Sequence, residues 1–168
     1  MQKPLDPYLK VLRAFHQKGV QYVLIGVSAV NYYAESPMQI LLTGDFDIFV
    51  EPSFSNVWQA AQVLWKQDFI LSTRDRLIRK GGRRPVDRAV RNLLTIQGKS
   101  PDHHIVELSL NVSGFIFQDL RKDATTFRAA GIPVRVASLK KLLKMKEIAD
   151  RPKDRLFLER FKLMNKEG

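Results

Sequence analysis

The most constraining feature of the sequence is a pair of aspartates at the start of an apolar, β-favouring run. Asp45 and Asp47 are separated by one residue and lead into Ile48-Phe49-Val50. Side chains two residues apart in a strand point to the same face, so the two carboxylates are expected to stand side by side. Like charges at that distance repel each other, and burial increases the cost. The pair therefore needs a compensating cation, and its oxygen ligands suit Mg²⁺ or Mn²⁺. The alternative is that both acids cap a turn where a strand enters the sheet.

A second motif lies upstream, where a short apolar run ends in a glycine. Residues 20–25 predict a buried strand, Gly26 a tight turn, and Ser28 the cap of a short helix that ends near residues 34–37. Such a turn leaves backbone N–H groups unpaired at the positive end of a helix dipole, an arrangement that binds phosphate. The alternative is an ordinary strand-to-helix connection with a capping serine.

Together, the two motifs resemble the start of the nucleotidyltransferase superfamily. The shared pattern is Leu-Ile-Gly-x-Ser-Ala followed by Thr-x-Asp-x-Asp-Ile-x-Val. It is most similar to a small bacterial branch related to abortive-infection-type nucleotidyltransferase toxins. The resemblance implies that Gly26 and Ser28 hold the triphosphate of an NTP, and that Asp45 and Asp47 hold two metal ions. It extends over about residues 20–160.

Two positions depart from the superfamily pattern. The chain has Val27 where Gly or Ser is usual, and Leu41 where an arginine is common. A Cβ at position 27 limits the approach of the backbone to a phosphate, and the leucine removes one cation. Two alternatives to an enzyme remain open, and these departures, with the basic stretches of the chain, favour the first of them. One is a nucleic-acid-binding module on a catalytically degenerate transferase fold. The other is half of a toxin–antitoxin pair whose basic face meets an acidic protein.

A third carboxylate is predicted on a neighbouring strand. Residues 104–110 form an apolar, strand-like run that contains Glu107, and a lone carboxylate there is costly unless a cation pairs with it. The resemblance implies that Glu107 is a third metal ligand, although the superfamily more often has Asp; the alternative is a structural ion pair. A preceding strand at residues 92–96 and a turn at 98–102 complete a predicted hairpin.

The C-terminal part carries the second half of the resemblance. Ser138 is expected to cap a helix, which leads into Lys146-Glu147-Ile148-Ala149-Asp150-Arg151-Pro152-Lys153-Asp154. In the superfamily, a helix lysine and a following Arg-x-Lys-Asp element face the nucleotide. The resemblance therefore assigns Lys146 and Lys153 to the triphosphate; the alternative is a helix–helix corner with charged caps. A further Asp of the pattern is replaced here by Phe157.

The positive charge is concentrated in two stretches. Of the net charge of +11, residues 74–91 contribute +6 and residues 139–168 contribute +5. Such concentration indicates an anionic partner, which we expect to be an NTP, RNA or an acidic protein. The alternative is a solvated basic surface. Gly81-Gly82 predicts that the first stretch is a mobile loop with a partial helix at each side.

Length and composition indicate a single domain over residues 1–168, with 45% apolar residues available for its core. The expected fold class is α/β (α+β): a mixed sheet flanked by helices, with a C-terminal helical pair from about residue 138. The sequence has no apolar run of membrane-spanning length and no signal-peptide pattern. Its lack of cysteine excludes disulfides and fits the cytoplasm. The expected activity is metal-dependent transfer of a nucleoside monophosphate from an NTP to a hydroxyl group of RNA or protein.

Overall fold

The computed structural model describes residues 6–166, in which eight strands and seven α-helices are present. The strands are β1 (Tyr22–Ile25), β2 (Asp45–Val50), β3 (Ile70–Thr73), β4 (Arg76–Ile78), β5 (Ile96–Lys99), β6 (Ile105–Ser109), β7 (Thr125–Ala129) and β8 (Ile132–Val136). The helices are α1 (Pro7–Lys18), α2 (Gly26–Asn31), α3 (Phe54–Lys66), α4 (Arg83–Arg91), α5 (Phe117–Lys122), α6 (Leu139–Ala149) and α7 (Pro152–Lys166).

The strands form one mixed sheet in the order β4-β3-β5-β6-β2-β1-β8-β7. Helices flank it, and α6 and α7 pack against each other at the C-terminal end. The expected fold class is therefore confirmed. None of the helices between residues 6 and 166 is long and apolar enough to cross a membrane.

Strand β2 lies in the middle of the sheet, and it contains both aspartates and the apolar run that follows them. It is antiparallel to β1 and parallel to β6. Phe46, Ile48 and Val50 are buried on one face, because their side chains alternate with those of Asp45 and Asp47. The two aspartates are thus presented on the opposite face, at the sheet centre.

The basic stretch 74–91 is ordered, so the expectation of a mobile loop is wrong. Strand β4 pairs with β3, and its Ile78 is almost fully buried. Gly81 has φ +78° and Gly82 donates a backbone hydrogen bond to Arg79, so the two glycines form a tight turn into α4. Apolar residues on β4 and α4 pack into the core and fix the segment there. These residues are hard to recognise in the sequence because they are interspersed among many arginines.

Two further expectations need correction. Ser28 does not cap α2, because the helix begins at Gly26. Strand β5 begins at Ile96 rather than at residue 92, because residues 92–94 complete the C-terminal turn of α4 through a hydrogen bond from Leu94 to Ala89.

Candidate functional site

Two acidic side chains face each other at the centre of the sheet. Asp47 of β2 and Glu107 of β6 are direct partners in the parallel register, and both are half-buried. Burial, followed by the charge of Glu107 and a hydrogen bond to it, raises the pKa of Asp47 to about 7. The charge of Asp45 raises this pKa further, whereas that of Lys146 lowers it. The Asp47 carboxyl is therefore partly protonated near neutral pH, and a bound cation would relieve the same repulsion.

Gly26 is the residue that makes room for this acid pair. It has φ +75°, and a Cβ at this position would overlap the Asp47 carboxylate. Only glycine allows α2 to begin so close to that side chain. Val27, the departure from the superfamily pattern, is half-buried and packs against the core.

The other residues of the two N-terminal motifs hold the backbone around the pair. The Ser28 hydroxyl donates to the Asp45 carbonyl at 3.3 Å, which links α2 to the start of β2. Asn31 donates to the Leu41 carbonyl at 2.8 Å and accepts from its N–H at 2.9 Å. Position 41, where the superfamily commonly has arginine, is therefore a backbone anchor for the segment that leads into β2.

A group of cations approaches the acid pair from the corner between α6 and α7. Asp154 organises it: this carboxylate is fully buried, accepts from Arg151 Nε at 2.7 Å and lies 3.4 Å from Lys146 Nζ. Burial alone would raise the pKa of Asp154, but hydrogen bonds from Arg151 and the charge of Lys146 outweigh it and hold the pKa below its ordinary value. Lys146 Nζ also lies 5.2 Å from the ring centroid of Phe157, which replaces the Asp of the superfamily pattern.

The acidic and basic groups share one cleft of about 440 Å³, which we call the acid cleft. Of the seven residues assigned from the sequence, it brings together Gly26, Asp45, Asp47, Glu107, Lys146 and Lys153. Ser28 does not line it. Arg151 also lines the cleft, and the buried Asp154 positions the side chains of Arg151 and Lys146. The motif contained both residues, but only the structure shows that Asp154 is buried.

The carboxylates of the acid cleft are oxygen ligands of the type that divalent cations bind, but only two of them are placed to share one ion. Asp47 and Glu107 offer facing oxygen ligands of the kind that Mg²⁺ and Mn²⁺ accept. Asp45 lines the same cleft from the exposed end of β2. Within residues 6–166, however, no three His, Cys, Asp or Glu side chains converge closely enough to hold one ion. The Asp45 side chain would have to rotate toward the pair to become a third ligand.

The chain was compared with family models, curated proteins and solved structures. No family model matches the chain, and no curated protein matches its sequence. Among solved structures, it is similar to an antigenic nucleotidyltransferase-like protein from Paracoccidioides brasiliensis. The TM-score is 0.49 and the identity 16%, with 95% of this chain and 76% of that chain covered. A similarity of this size does not assign a function.

Replacing Gly26 with alanine should destabilise the protein by more than backbone strain alone. Gly19→Ala is the matched control: Gly19 has φ +70° but no atom within 4 Å of the point where a Cβ would lie, whereas a Cβ at Gly26 would overlap Asp47. We expect Gly19→Ala to cost about 1 kcal/mol and Gly26→Ala at least about 2 kcal/mol in urea unfolding. Equal costs would contradict close packing of Asp47 on Gly26.

The pH dependence of stability should report the acid pair. Because the pKa of Asp47 is raised from 3.8 to about 7, its contribution to stability is fully present below pH 3.8 and is lost as the pH rises through 7. In chelator, the free energy of unfolding of Asp47→Asn should therefore increase relative to the parent between pH 4 and 7. Asp102→Asn, in an exposed turn, is the charge-matched control. Parallel profiles for the parent and Asp47→Asn would show that the Asp47 carboxylate is not destabilised by its surroundings in the folded protein.

Proposed function

We propose that this protein is a metal-dependent nucleotidyltransferase. It transfers a nucleoside monophosphate from an NTP to a hydroxyl group of an RNA or protein acceptor, and uses two Mg²⁺ or Mn²⁺ ions. The observation that carries the proposal is the acid cleft, in which Asp47 and Glu107 face Lys146, Arg151 and Lys153. We place the activity in the cytoplasm, which a cysteine-free chain suits.

The carboxylates form the metal-binding side of the cleft. Asp47 and Glu107 would hold the ions, with Asp45 as the further ligand. When bound, the ions would neutralise the triphosphate and lower the pKa of the acceptor hydroxyl. Without them, burial and the charge of Glu107 raise the pKa of Asp47.

The basic side of the cleft binds the triphosphate. Lys146 is held by Asp154 and Phe157, so its ammonium group is pre-positioned and loses little conformational freedom on binding. Arg151 is held by Asp154 in the same way, and Lys153 adds a further, exposed cation. Charge-assisted hydrogen bonds from these groups to phosphate oxygens orient the α-phosphorus toward the acid pair. Gly26 allows the chain to lie close to that point, and Ser28 fixes α2 beside it.

The transfer itself is a single displacement. The acceptor oxygen attacks the α-phosphorus and forms a new P–O bond, while the bond from that phosphorus to the oxygen bridging to the β-phosphate breaks. Pyrophosphate leaves with the electron pair. A carboxylate of Asp47 or Glu107 accepts the hydroxyl proton. Catalysis therefore depends mainly on positioning and on stabilisation of charge.

A nucleic-acid-binding module without transferase activity is the second candidate. It is favoured by the arginines that line the sheet beyond Glu107, and by the departures at Val27 and Leu41. Magnesium-dependent NTP binding separates the two candidates, because a binding module needs neither ligand. A role as the basic half of a toxin–antitoxin pair would require an acidic protein partner.

The proposal predicts labelling of a macromolecule from an α-³²P-labelled NTP. The protein is incubated with each NTP, Mg²⁺ or Mn²⁺, pooled RNA and cell protein. The parent should label one acceptor, and Asp47→Asn should reduce transfer by about 100-fold or more. Lys146→Met should weaken NTP binding, measured as the rise in melting temperature with Mg²⁺ and NTP.

Lys144→Met is the control for Lys146→Met, because Lys144 lies on the same helix but pairs with Glu147 at 3.3 Å. It should behave as the parent. No labelling and no Mg²⁺–NTP stabilisation of the folded parent would refute the transferase proposal. Equal effects of the two lysine variants would refute the role of Lys146.

A further inference from the structure

The sheet face that carries the acid pair continues, uninterrupted in register, to the edge of the sheet. Asp47, Glu107, Gln97, Ser72 and Leu77 are successive direct partners across β2, β6, β5, β3 and β4. Directly paired residues point to the same face. At a strand spacing of about 4.8 Å, this row extends about 19 Å from Asp47 to Leu77.

This half of the face is open to solvent. Ile70 and Leu77 are 64% and 60% exposed, although both are large and apolar. Two cavities of about 670 and 640 Å³ lie here and share Ser72 and Gln97 in their lining. The first of them also includes Glu107, which lines the acid cleft. A bound molecule could therefore extend from the outer strands to the acid pair.

Basic side chains line these two cavities: Arg74 from the turn between β3 and β4, Arg76 from the start of β4, Arg88 from α4, and Lys99 from β5. We call this surface the arginine face. Within residues 6–166, none of the four forms a salt bridge. Two other arginines of the same stretch, Arg83 and Arg91, contact other side chains instead.

The contrast with those partnered arginines is informative. Arg83 lies over the Phe54 and Trp58 rings at 5.0 and 5.4 Å, and Arg91 pairs with Asp87 at 2.9 Å. Arg83 and Arg91 thus contact other side chains at the protein surface, whereas Arg74, Arg76 and Arg88 line the face that carries Glu107. The latter are available for a ligand.

We propose that the arginine face binds single-stranded nucleic acid, and that this strand is the acceptor whose hydroxyl reaches the acid pair. The acceptor role rests on the proposed transferase function; the binding role does not. Planar guanidinium groups suit phosphate oxygens, and the exposed side chains of Ile70, Leu77, Leu93 and Leu94 offer apolar surface to base faces. A strand that alternates phosphates with flat bases matches such a surface better than an acidic peptide does.

Binding is tested with a fluorescein-labelled 12-nucleotide single-stranded RNA, by anisotropy across a salt series in chelator without NTP. The triple variant Arg74→Ala, Arg76→Ala, Arg88→Ala should bind at least about tenfold more weakly, and the log–log salt slope should flatten by about two units. The control Arg160→Ala, Lys162→Ala, Lys166→Ala removes the same charge from exposed positions on α7 and should change little. Equal losses in both variants, or no RNA binding by the parent, would overturn the proposal.

Placement on the face is tested by cross-linking, which the absence of native cysteine makes simple. A photo-crosslinker attached through Ser72→Cys should capture the RNA, whereas one attached through Ser55→Cys, on an exposed part of α3, should not. Polyglutamate of equal charge should compete poorly. Capture from both sites, or equal competition by polyglutamate, would overturn the proposal, the latter in favour of an acidic protein.

A last comparison separates this inference from the transferase proposal. The triple arginine variant should keep its thermal stabilisation by Mg²⁺ and NTP but lose transfer to RNA. Normal transfer to RNA by this variant would overturn the acceptor role and leave the transferase intact. If the parent shows no transfer at all while the variant still loses RNA binding, the nucleic-acid-binding face stands and the transferase proposal fails.

Discussion

The contact between Asp47 and Glu107 is the interaction on which the rest of the site depends. Two acids placed opposite each other on central strands destabilise the folded chain unless they share a proton or a cation. The raised pKa of Asp47 expresses this cost. The surrounding structure accommodates the pair rather than separating it: Gly26 provides the space, and the buried strand partners of β2 keep the two side chains in register.

The opposing charges come from a different part of the chain and are fixed by a second buried acid. Asp154 has no exposed surface, and it is stabilised by Arg151 and Lys146. In return, it holds both basic side chains at the acid cleft. Negative charge on the sheet and positive charge at the helical corner are therefore each organised before any ligand binds, which is the condition for electrostatic catalysis.

Much of this site could be predicted from local pattern, because each of its motifs is short and can be identified within its own stretch of sequence. Strand β2 followed from the apolar, β-favouring run after the two aspartates, and Glu107 stood out as a lone carboxylate in an apolar run. Pairwise register could not be predicted, because it depends on contacts between segments that are far apart along the chain. For the same reason, the burial of Asp154 and the pairing of β4, within residues 74–91, with β3 could not be predicted from the sequence.

The most direct test of the acid cleft is a Mn²⁺ titration of ¹⁵N-labelled protein, followed by paramagnetic broadening of its amide signals. If Asp47 and Glu107 hold a divalent cation, broadening at low Mn²⁺ should be strongest for Gly26 and for the central residues of β2 and β6, and Asp47→Asn should abolish it. Excess Mg²⁺ should reverse it. Broadening centred elsewhere, or unchanged in Asp47→Asn, would contradict the assignment of this pair as the cation site.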